Sequence, residues 1–148
     1  MKIKNLFSIK IYDEERNRLS FDLKDIICLL NPINYSKLKW SVLTNLELNN
    51  GQNDLPKELW GFYGKIESAE EITKIDIDWD LINFISNNVL QVIDGTFIGR
   101  DENYHIEITA HDSSLWIVKT NDKAVLTAIK GRFKDIRIKK KLYITSSK

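Results

Sequence analysis

The sequence has few of the residues from which disulfides and metal sites are built. It contains one cysteine and two histidines among 148 residues. A single cysteine cannot form an internal disulfide, and because Cys28 lies within the apolar run 26–30, we expect its thiol to be buried and unreactive. No apolar run approaches the roughly 18 residues that cross a bilayer, and charges interrupt the N-terminal segment too early for a signal peptide. We therefore expect a cytoplasmic protein that makes no contact with a membrane.

Standard catalytic and nucleotide-binding motifs are also missing. Gly95 and Gly99 lack the strand-loop-helix context of a phosphate-binding loop, and no glycine-rich stretch ends in Lys-Ser or Lys-Thr. Residues 111–114, His-Asp-Ser-Ser, have the residue types of a serine-hydrolase triad, but four consecutive residues cannot reproduce its spatial arrangement. We therefore expect that the protein is not an enzyme and needs no cofactor.

Both histidines fall on one predicted strand. His105, Glu107 and His111 share one parity, so their side chains point to the same face. The two histidines are six positions apart, which is about 20 Å in an extended strand at roughly 3.3 Å per residue. We expect a solvated sheet face and no metal site, because one ion could not reach both imidazoles without a sharp bend.

The stretch 115–118, Leu-Trp-Ile-Val, organises the predicted fold. Large apolar side chains alternate to both sides of it, which predicts a strand buried on both faces. Thr120, Asn121 and Asp122 can then cap a helix that runs from Lys123 to Gly131. The preceding segments 90–99 and 104–110 alternate as strands around a polar turn, so the three strands predict an antiparallel meander.

Other patterns complete the predicted fold. Alternation predicts strands at 7–11, over 37–48 and after Phe133. Asp22 and Asp78 can cap helices, a further short helix starts near Asp54, and Asn31-Pro32 is expected to end the first helix. We therefore predict one α+β domain over residues 1–148, with a mostly antiparallel sheet, a C-terminal meander and short helices packed on it.

The net charge is +1, but acidic and basic residues are concentrated in different segments of the chain. Residues 1–41 contain eight basic and five acidic residues, whereas residues 42–112 contain fourteen acidic and four basic ones. Residues 113–148 contain ten basic and two acidic residues. Segregation of this size favours charged partners, although pairing of the acidic and basic segments within the molecule would also account for it.

The acidic segment contains the first candidate binding site. Aromatic residues surrounded by carboxylates are typical of a surface that binds a basic protein, such as the cleft of a nuclease. The alternative is that the aromatic residues belong to the core and the acids only face water. The candidate partner-binding residues are Trp60, Tyr63, Glu67, Glu70, Glu71, Asp76, Asp78 and Asp80.

The basic segment near the C-terminus is a second candidate. Its cations could follow a phosphate backbone, and Tyr143 could stack on a base. An edge strand that lysines protect from aggregation would contain the same residues, and we favour this explanation, so a nucleic-acid partner is not expected. The basic residues are Lys130, Arg132, Lys134, Arg137, Lys139, Lys140 and Lys141.

Three stretches, 55–63, 91–99 and 115–118 with the helix that follows, together resemble the layout of small bacterial immunity proteins. Those proteins are the partners of polymorphic or contact-dependent toxins. The resemblance implies a cytoplasmic α+β protein that binds a cognate toxin domain, often a nuclease, and occludes its active site. Two alternatives remain open: a nucleic-acid-binding or regulatory module that uses the basic segment, and an accessory subunit that binds through an exposed sheet edge.

Overall fold

The strands of the protein form one antiparallel sheet. The computed structural model describes residues 2–12, 21–112 and 114–145 of the chain. The predicted fold class, α+β with a mostly antiparallel sheet and short helices, is confirmed. Within the described residues the eight strands are β1 (Lys2–Tyr12), β2 (Lys39–Leu43), β3 (Glu47–Asn49), β4 (Lys74–Ile77), β5 (Gln91–Arg100), β6 (His105–His111), β7 (Leu115–Thr120) and β8 (Ile136–Thr145).

The order of the strands brings the beginning of the chain beside its end. The order is β4-β2-β5-β6-β7-β1-β8, and β3 pairs with the first half of β5. The predicted C-terminal meander is confirmed as β5-β6-β7, in which Ile108 lies opposite both Phe97 and Val118. Strand β1 is inserted between β7 and β8, so that Ile9 lies opposite Val118 on one side and Ile138 on the other. Among the described strands, β8 therefore forms one edge of the sheet, and β4 together with the short strand β3 lies at the opposite edge.

Short helices begin where the sequence offers capping carboxylates. Asp22 accepts the backbone N–H of Leu23 at 2.7 Å, and Asp78 accepts that of Leu81 at 2.8 Å. Asp122 caps the helix that follows β7, as predicted. The helices of the described chain are α1 (Leu23–Ile27), α2 (Pro32–Tyr35), α3 (Trp60–Glu67), α4 (Trp79–Asn88) and α5 (Lys123–Arg132), and the 3-10 turn Lys57–Leu59 leads directly into α3.

One face of the sheet is covered by these helices and contains the core. Trp40 illustrates the packing: its indole N–H donates to the carbonyl of Tyr35 at 2.9 Å, and its ring lies 5.7 Å from that of Trp79 on α4. A Cβ atom at Gly99 would come within 2.8 Å of the Trp40 ring, so a larger residue there would force the buried ring to shift. The strand residues buried on this covered face include Phe7, Ile9, Ile11, Trp40, Val42, Phe97, Ile106, Ile108, Ala110, Trp116 and Val118.

The opposite face of the sheet, called here the open face, has no helix of the described chain packed on it. Its residues alternate with those of the core and are mostly half-buried or exposed. Cross-strand pairing places Lys10 beside Ile117 and Arg137, and Glu107 beside Lys119. The sheet is therefore covered on one side and faces solvent on the other, as antiparallel sheets commonly do.

Two predicted strands differ from the structure. The prediction that the strand at 115–118 is buried on both faces is wrong, because Leu115 and Ile117 lie half-buried on the open face. The predicted strand over 37–48 is divided into β2 and β3, because the chain turns at Thr44. The Thr44 hydroxyl donates to the carbonyl of Glu71 at 3.0 Å, which ties this turn to the loop before β4.

Two predictions near α1 are also wrong. Asn31 and Pro32 begin α2 instead of ending α1: the Asn31 side chain accepts the N–H of Ile33 at 3.0 Å, and proline is tolerated in a first helical turn. Cys28 is exposed, not buried. Leu23, Ile26 and Ile27 form the buried stripe of α1, and at 3.6 residues per turn position 28 falls on the opposite side.

Candidate functional site

The carboxylates of residues 67–80, called here the acidic run, lie at the β4 edge of the sheet. The acidic run extends from the last turn of α3, through a loop and β4, to the first turn of α4. Asp76 on β4 lies opposite Ser41, and Ile77 lies opposite Trp40. The structure thus brings the predicted site residues to one region, where they divide between two clefts and a loop.

The first cleft lies between α3, β4 and α4 and has a volume of about 680 Å³. Half-buried apolar side chains lie at its base, and carboxylates surround them. An apolar base with an acidic rim fits a partner that inserts an apolar side chain flanked by lysine or arginine. The apolar residues are Phe62, Ile77, Leu81 and Phe84, and the acidic residues are Glu58, Asp76, Asp78 and Asp80.

A second, smaller cleft of about 480 Å³ is built around Trp60. The Trp60 side chain is 55% exposed, and its indole N–H donates to the carbonyl of Leu55 at 2.7 Å, which holds the ring in one orientation. Tyr63 is half-buried and packs against the core, and its hydroxyl accepts the N–H of Leu48 at 3.4 Å. Glu67 and Asp54 also line this cleft. Of the two predicted aromatic residues, Trp60 is therefore a surface residue, whereas Tyr63 is partly structural.

Four of the predicted carboxylates have more limited roles. Asp78 caps α4, and Asp80 lies in the first turn of α4, where the helix dipole favours a negative charge. Both therefore contribute to folding as well as to the rim of the first cleft. Glu70 and Glu71 are exposed in the loop between α3 and β4 and line neither cleft.

The sequence prediction missed Glu58 and the apolar base of the first cleft. Glu58 precedes Phe62 by four positions, and the 3-10 turn runs on into α3, so the two residues lie on one side of a continuous helical segment. This four-residue spacing is the feature of the sequence that could have identified Glu58 as a site residue. The contribution of Phe84 had no comparable signal, because it depends on how α4 packs beside α3.

The basic segment lies at the opposite edge of the sheet. Strand β8 and the acidic strand β4 are separated by five strands, or about 30 Å at 4.8 Å per strand spacing. Two ion pairs form within residues 2–12, 21–112 and 114–145, His105 with Glu107 and Arg132 with Asp25. Neither joins the acidic run to the basic segment, so the charge segregation of the sequence becomes a segregation between two surfaces.

On the open face, Glu107 is the carboxylate with a perturbed pKa. His105, whose Nε2 lies 3.8 Å from Oε1 of Glu107, lowers the pKa of this carboxyl. Half-burial opposes the effect, and the charges of Lys119 and Lys74 add to it. His111 lies at the far end of β6, and among the described residues no three His, Cys, Asp or Glu side chains are arranged to hold a metal ion.

A polar cavity of about 590 Å³ lies on the helix side, between α1 and the C-terminal end of α4. Burial raises the pKa of Asp22 in its wall to about 6, although the carboxylate accepts the N–H groups of Leu23 and Val92. Asp25 accepts the N–H of Asp22 at 2.8 Å and pairs with Arg132 at 3.2 Å. These contacts tie α1 to β5 and α5, so the two carboxylates have structural roles.

No family model, curated protein or solved structure matches this chain. In the part of the chain that the structure describes, every helix is too short or too polar to cross a membrane.

Proposed function

We propose that this protein is an immunity protein, which binds a basic toxin domain, such as a nuclease, and occludes its active site. The observation that carries the proposal is Trp60, a large aromatic side chain that is 55% exposed at the acidic edge of the sheet. The carboxylates around it and around the neighbouring cleft take part in neither ion pair of the described chain. An exposed tryptophan beside these carboxylates fits a partner with a basic surface.

Trp60 is suited to provide much of the binding energy. Tryptophan is enriched among the residues that dominate binding, where truncation to alanine typically costs 2 kcal/mol or more. The hydrogen bond from its indole to the Leu55 carbonyl already restricts the ring. Binding therefore costs less conformational entropy than it would for a freely rotating side chain.

The carboxylates would act on the rate and the position of binding. Negative charge concentrated at one edge attracts a positively charged partner over long range and raises the association rate. Once bound, Glu58 and Asp76 would occupy the positive cleft that receives phosphates in a nuclease. The mechanism requires no catalysis and no cofactor from this chain, and it acts in the cytoplasm, where a toxin would meet nucleic acid.

Co-expression with the product of the adjacent upstream gene tests the proposal. We expect that product alone to arrest growth, and this protein to restore growth and co-purify with it in a stable complex. Trp60→Ala should raise Kd about 30-fold, the equivalent of 2 kcal/mol, without loss of folding because the side chain is exposed. A neighbour that is harmless alone and does not co-purify would end the immunity hypothesis.

Matched charge reversals distinguish direct contact at the first cleft from a long-range effect of net charge. Glu58→Lys with Asp76→Lys changes the rim of the first cleft, whereas Glu70→Lys with Glu71→Lys makes the same charge change in the adjacent loop. Asp78 is left intact because it caps α4. We expect the cleft pair to weaken binding at least about tenfold more than the loop pair, because close charges act through contact and distant ones through screened attraction. Equal losses would remove the first cleft from the binding site.

A further inference from the structure

We infer that the open face beside β8 binds single-stranded nucleic acid, a role independent of the proposed toxin-binding edge. Five cations from three adjacent strands converge there, and they are called the basic strand face. Four are exposed and one is half-buried. They are Lys10 of β1, Lys119 of β7, and Arg137, Lys139 and Lys141 of β8.

Strand register places these cations on one surface. Arg137 lies opposite Lys10, and Ser8 lies between Lys139 on one side and Lys119 on the other. Alternate residues of a strand are about 6.7 Å apart and neighbouring strands about 4.8 Å apart. The basic strand face therefore extends over about 13 Å along β8 and about 10 Å across the three strands, a size that accommodates a few nucleotides.

Protection of an exposed edge explains only part of this surface. Strand β8 is an edge strand, and lysines on such a strand hinder pairing with another chain. Lys10 and Lys119 lie on β1 and β7, however, which are paired on both sides. Cations on interior strands protect no edge. Lys119 has Glu107 as a cross-strand neighbour. In contrast, Lys10 lies between Ile117 and Arg137, so its alignment with the cations of β8 favours a shared anionic ligand.

Strands β1, β7 and β8 contain no acidic residue within the described chain. The other side chains that β1, β7 and β8 present on this face within the described chain are polar or apolar: Leu6, Ser8, Tyr12, Leu115 and Ile117. Two acidic residues border this face: Glu107 on β6 lies beside Lys119, and exposed Asp135 lies just before β8, two residues from Arg137. A continuous cationic area of this kind is the electrostatic footprint of a phosphate-backbone binder.

Shape and stacking favour a single strand over a duplex. The major groove of a duplex admits a protruding helix or β-ribbon, whereas the basic strand face is the surface of a broad sheet. On such a surface an unpaired strand can lay down its backbone and stack its bases. The Arg137 guanidinium lies 4.9 Å from the ring centroid of Tyr12, so the ring holds a planar cation in place at one end of the face.

Several basic residues of the C-terminal segment are excluded from this surface. Lys140 lies opposite Phe7 and so belongs to the other side of the sheet. Lys130 is on α5, Lys134 is in the turn after it, and Arg132 pairs with Asp25. Tyr143 is on β8, but its side chain lies outside the described part of the structure. The predicted basic segment therefore contributes three of its seven residues, and the fold adds Lys10, Lys119 and Tyr12.

Fluorescence anisotropy with a labelled 20-nucleotide oligouridylate tests the inference. We expect a Kd in the micromolar range, and a slope of about −3.5 for log K against log salt, which is 0.7 for each of five neutralised phosphates. The face variant changes Lys119, Arg137, Lys139 and Lys141 to Gln. It should bind about 30-fold more weakly or worse, with the slope reduced to about −0.7. Circular dichroism checks that it is folded.

A matched control removes the same charge elsewhere. Lys123→Gln, Lys130→Gln, Lys134→Gln and Lys140→Gln together remove four exposed cations from outside the basic strand face. The Kd of this control variant should stay within about threefold of that of the unmodified protein, and its slope of log K against log salt should change little. Equal losses in the two variants, or no binding by the unmodified protein, would overturn the inference.

Two further probes distinguish other anionic ligands. A 10-base-pair DNA duplex, which carries about as many phosphates as the 20-nucleotide oligouridylate, should bind more weakly than it. Tighter duplex binding would overturn the preference for a single strand, and binding to phosphatidylserine vesicles with none to the oligonucleotide would overturn the nucleic-acid assignment. The face variant should still neutralise the toxin in co-expression, so failure of this inference and failure of the proposed function give separate results.

Discussion

The two faces of the sheet differ in what they contribute to the protein. The covered face is apolar and closely packed, as the contact between Gly99 and Trp40 shows. The open face is polar and charged, and its Ile117 is only half-buried. Carboxylates follow the same division: burial raises the pKa of Asp22 on the helix side, whereas His105 lowers that of Glu107 on the open face. The covered face therefore stabilises the fold, whereas the open face of the described structure consists mostly of half-buried and exposed residues.

The largest difference between the faces should appear when an isoleucine is truncated on each. Ile108 is fully buried between Phe97 and Val118, so Ile108→Ala should lower the free energy of unfolding by about 2–5 kcal/mol. Ile117→Ala, one strand away on the open face, should cost about 1 kcal/mol or less because the side chain already contacts water. Urea denaturation measures both. Similar costs would mean that the open face is covered in solution.

A smaller effect is expected from adding one methyl group to a glycine. Gly99→Ala would place a Cβ atom 2.8 Å from the Trp40 ring, and the overpacking should cost about 1–3 kcal/mol. Gly64→Ala is the control, since its Cβ meets nothing within 4 Å and alanine favours a helix by about 0.5–1 kcal/mol. Thermal unfolding should therefore shift in opposite directions for the two variants. A stabilised Gly99→Ala variant would contradict the tight packing of the covered face.

The smallest expected effect is a difference in pH dependence between the faces. The raised pKa of Asp22 means that the folded state binds more protons than the unfolded state between about pH 4 and 6. Its contribution to stability is thus complete below pH 4 and lost as the pH rises through 6. Asp22→Asn keeps an oxygen for the cap but cannot titrate, so its stability relative to the original protein should rise between pH 4 and 7.

The contribution of Glu107 to stability should change with pH in the opposite direction to that of Asp22. Its pKa in the folded protein is lowered, so its contribution is present above the ordinary value of 4.5 and lost as the pH falls through the folded value. Glu107→Gln should therefore lose stability relative to the original protein at neutral pH, and the difference should shrink on acidification. Urea titrations at pH 3 to 7 measure both variants. If the relative stability of both variants changed with pH in the same direction, the carboxylates of the two faces would not differ in their pKa shifts.

Local patterns in the sequence predict the elements of this fold better than their arrangement. The alternation in β6 and β7 and the capping residues Asp78 and Asp122 depend on neighbours within a few positions, so their roles are visible in the sequence. Strand β4 is harder to predict, because Ile75 and Ile77 alternate within an acidic run that is typical of a solvated surface. The pairing of β1 with β7 and β8 joins residues more than 100 positions apart, and no local pattern encodes it.

The candidate surfaces show the same limit. Trp60 and the nearby carboxylates could be grouped from the sequence because they lie within one segment of the chain. The sequence could not show that Asp76 lines a cleft with Glu58 while Glu70 does not, because that depends on the packing of α3 against β4 and α4. Lys10 and Lys119 join the basic strand face only through strand pairing, so no charge count along the chain could have found them.

The position of β1 also has a consequence for the order of events during synthesis. Strand β1 is translated before the other described strands, whereas both strands that hold it, β7 and β8, are translated after them. Phe7, Ile9 and Ile11 therefore have no sheet partner while most of the chain emerges from the ribosome. Contacts of such high sequence separation also slow folding, because a long loop must close before any of them can form. We expect the insertion of β1 between its two partners to complete the sheet only after β8 has left the ribosome.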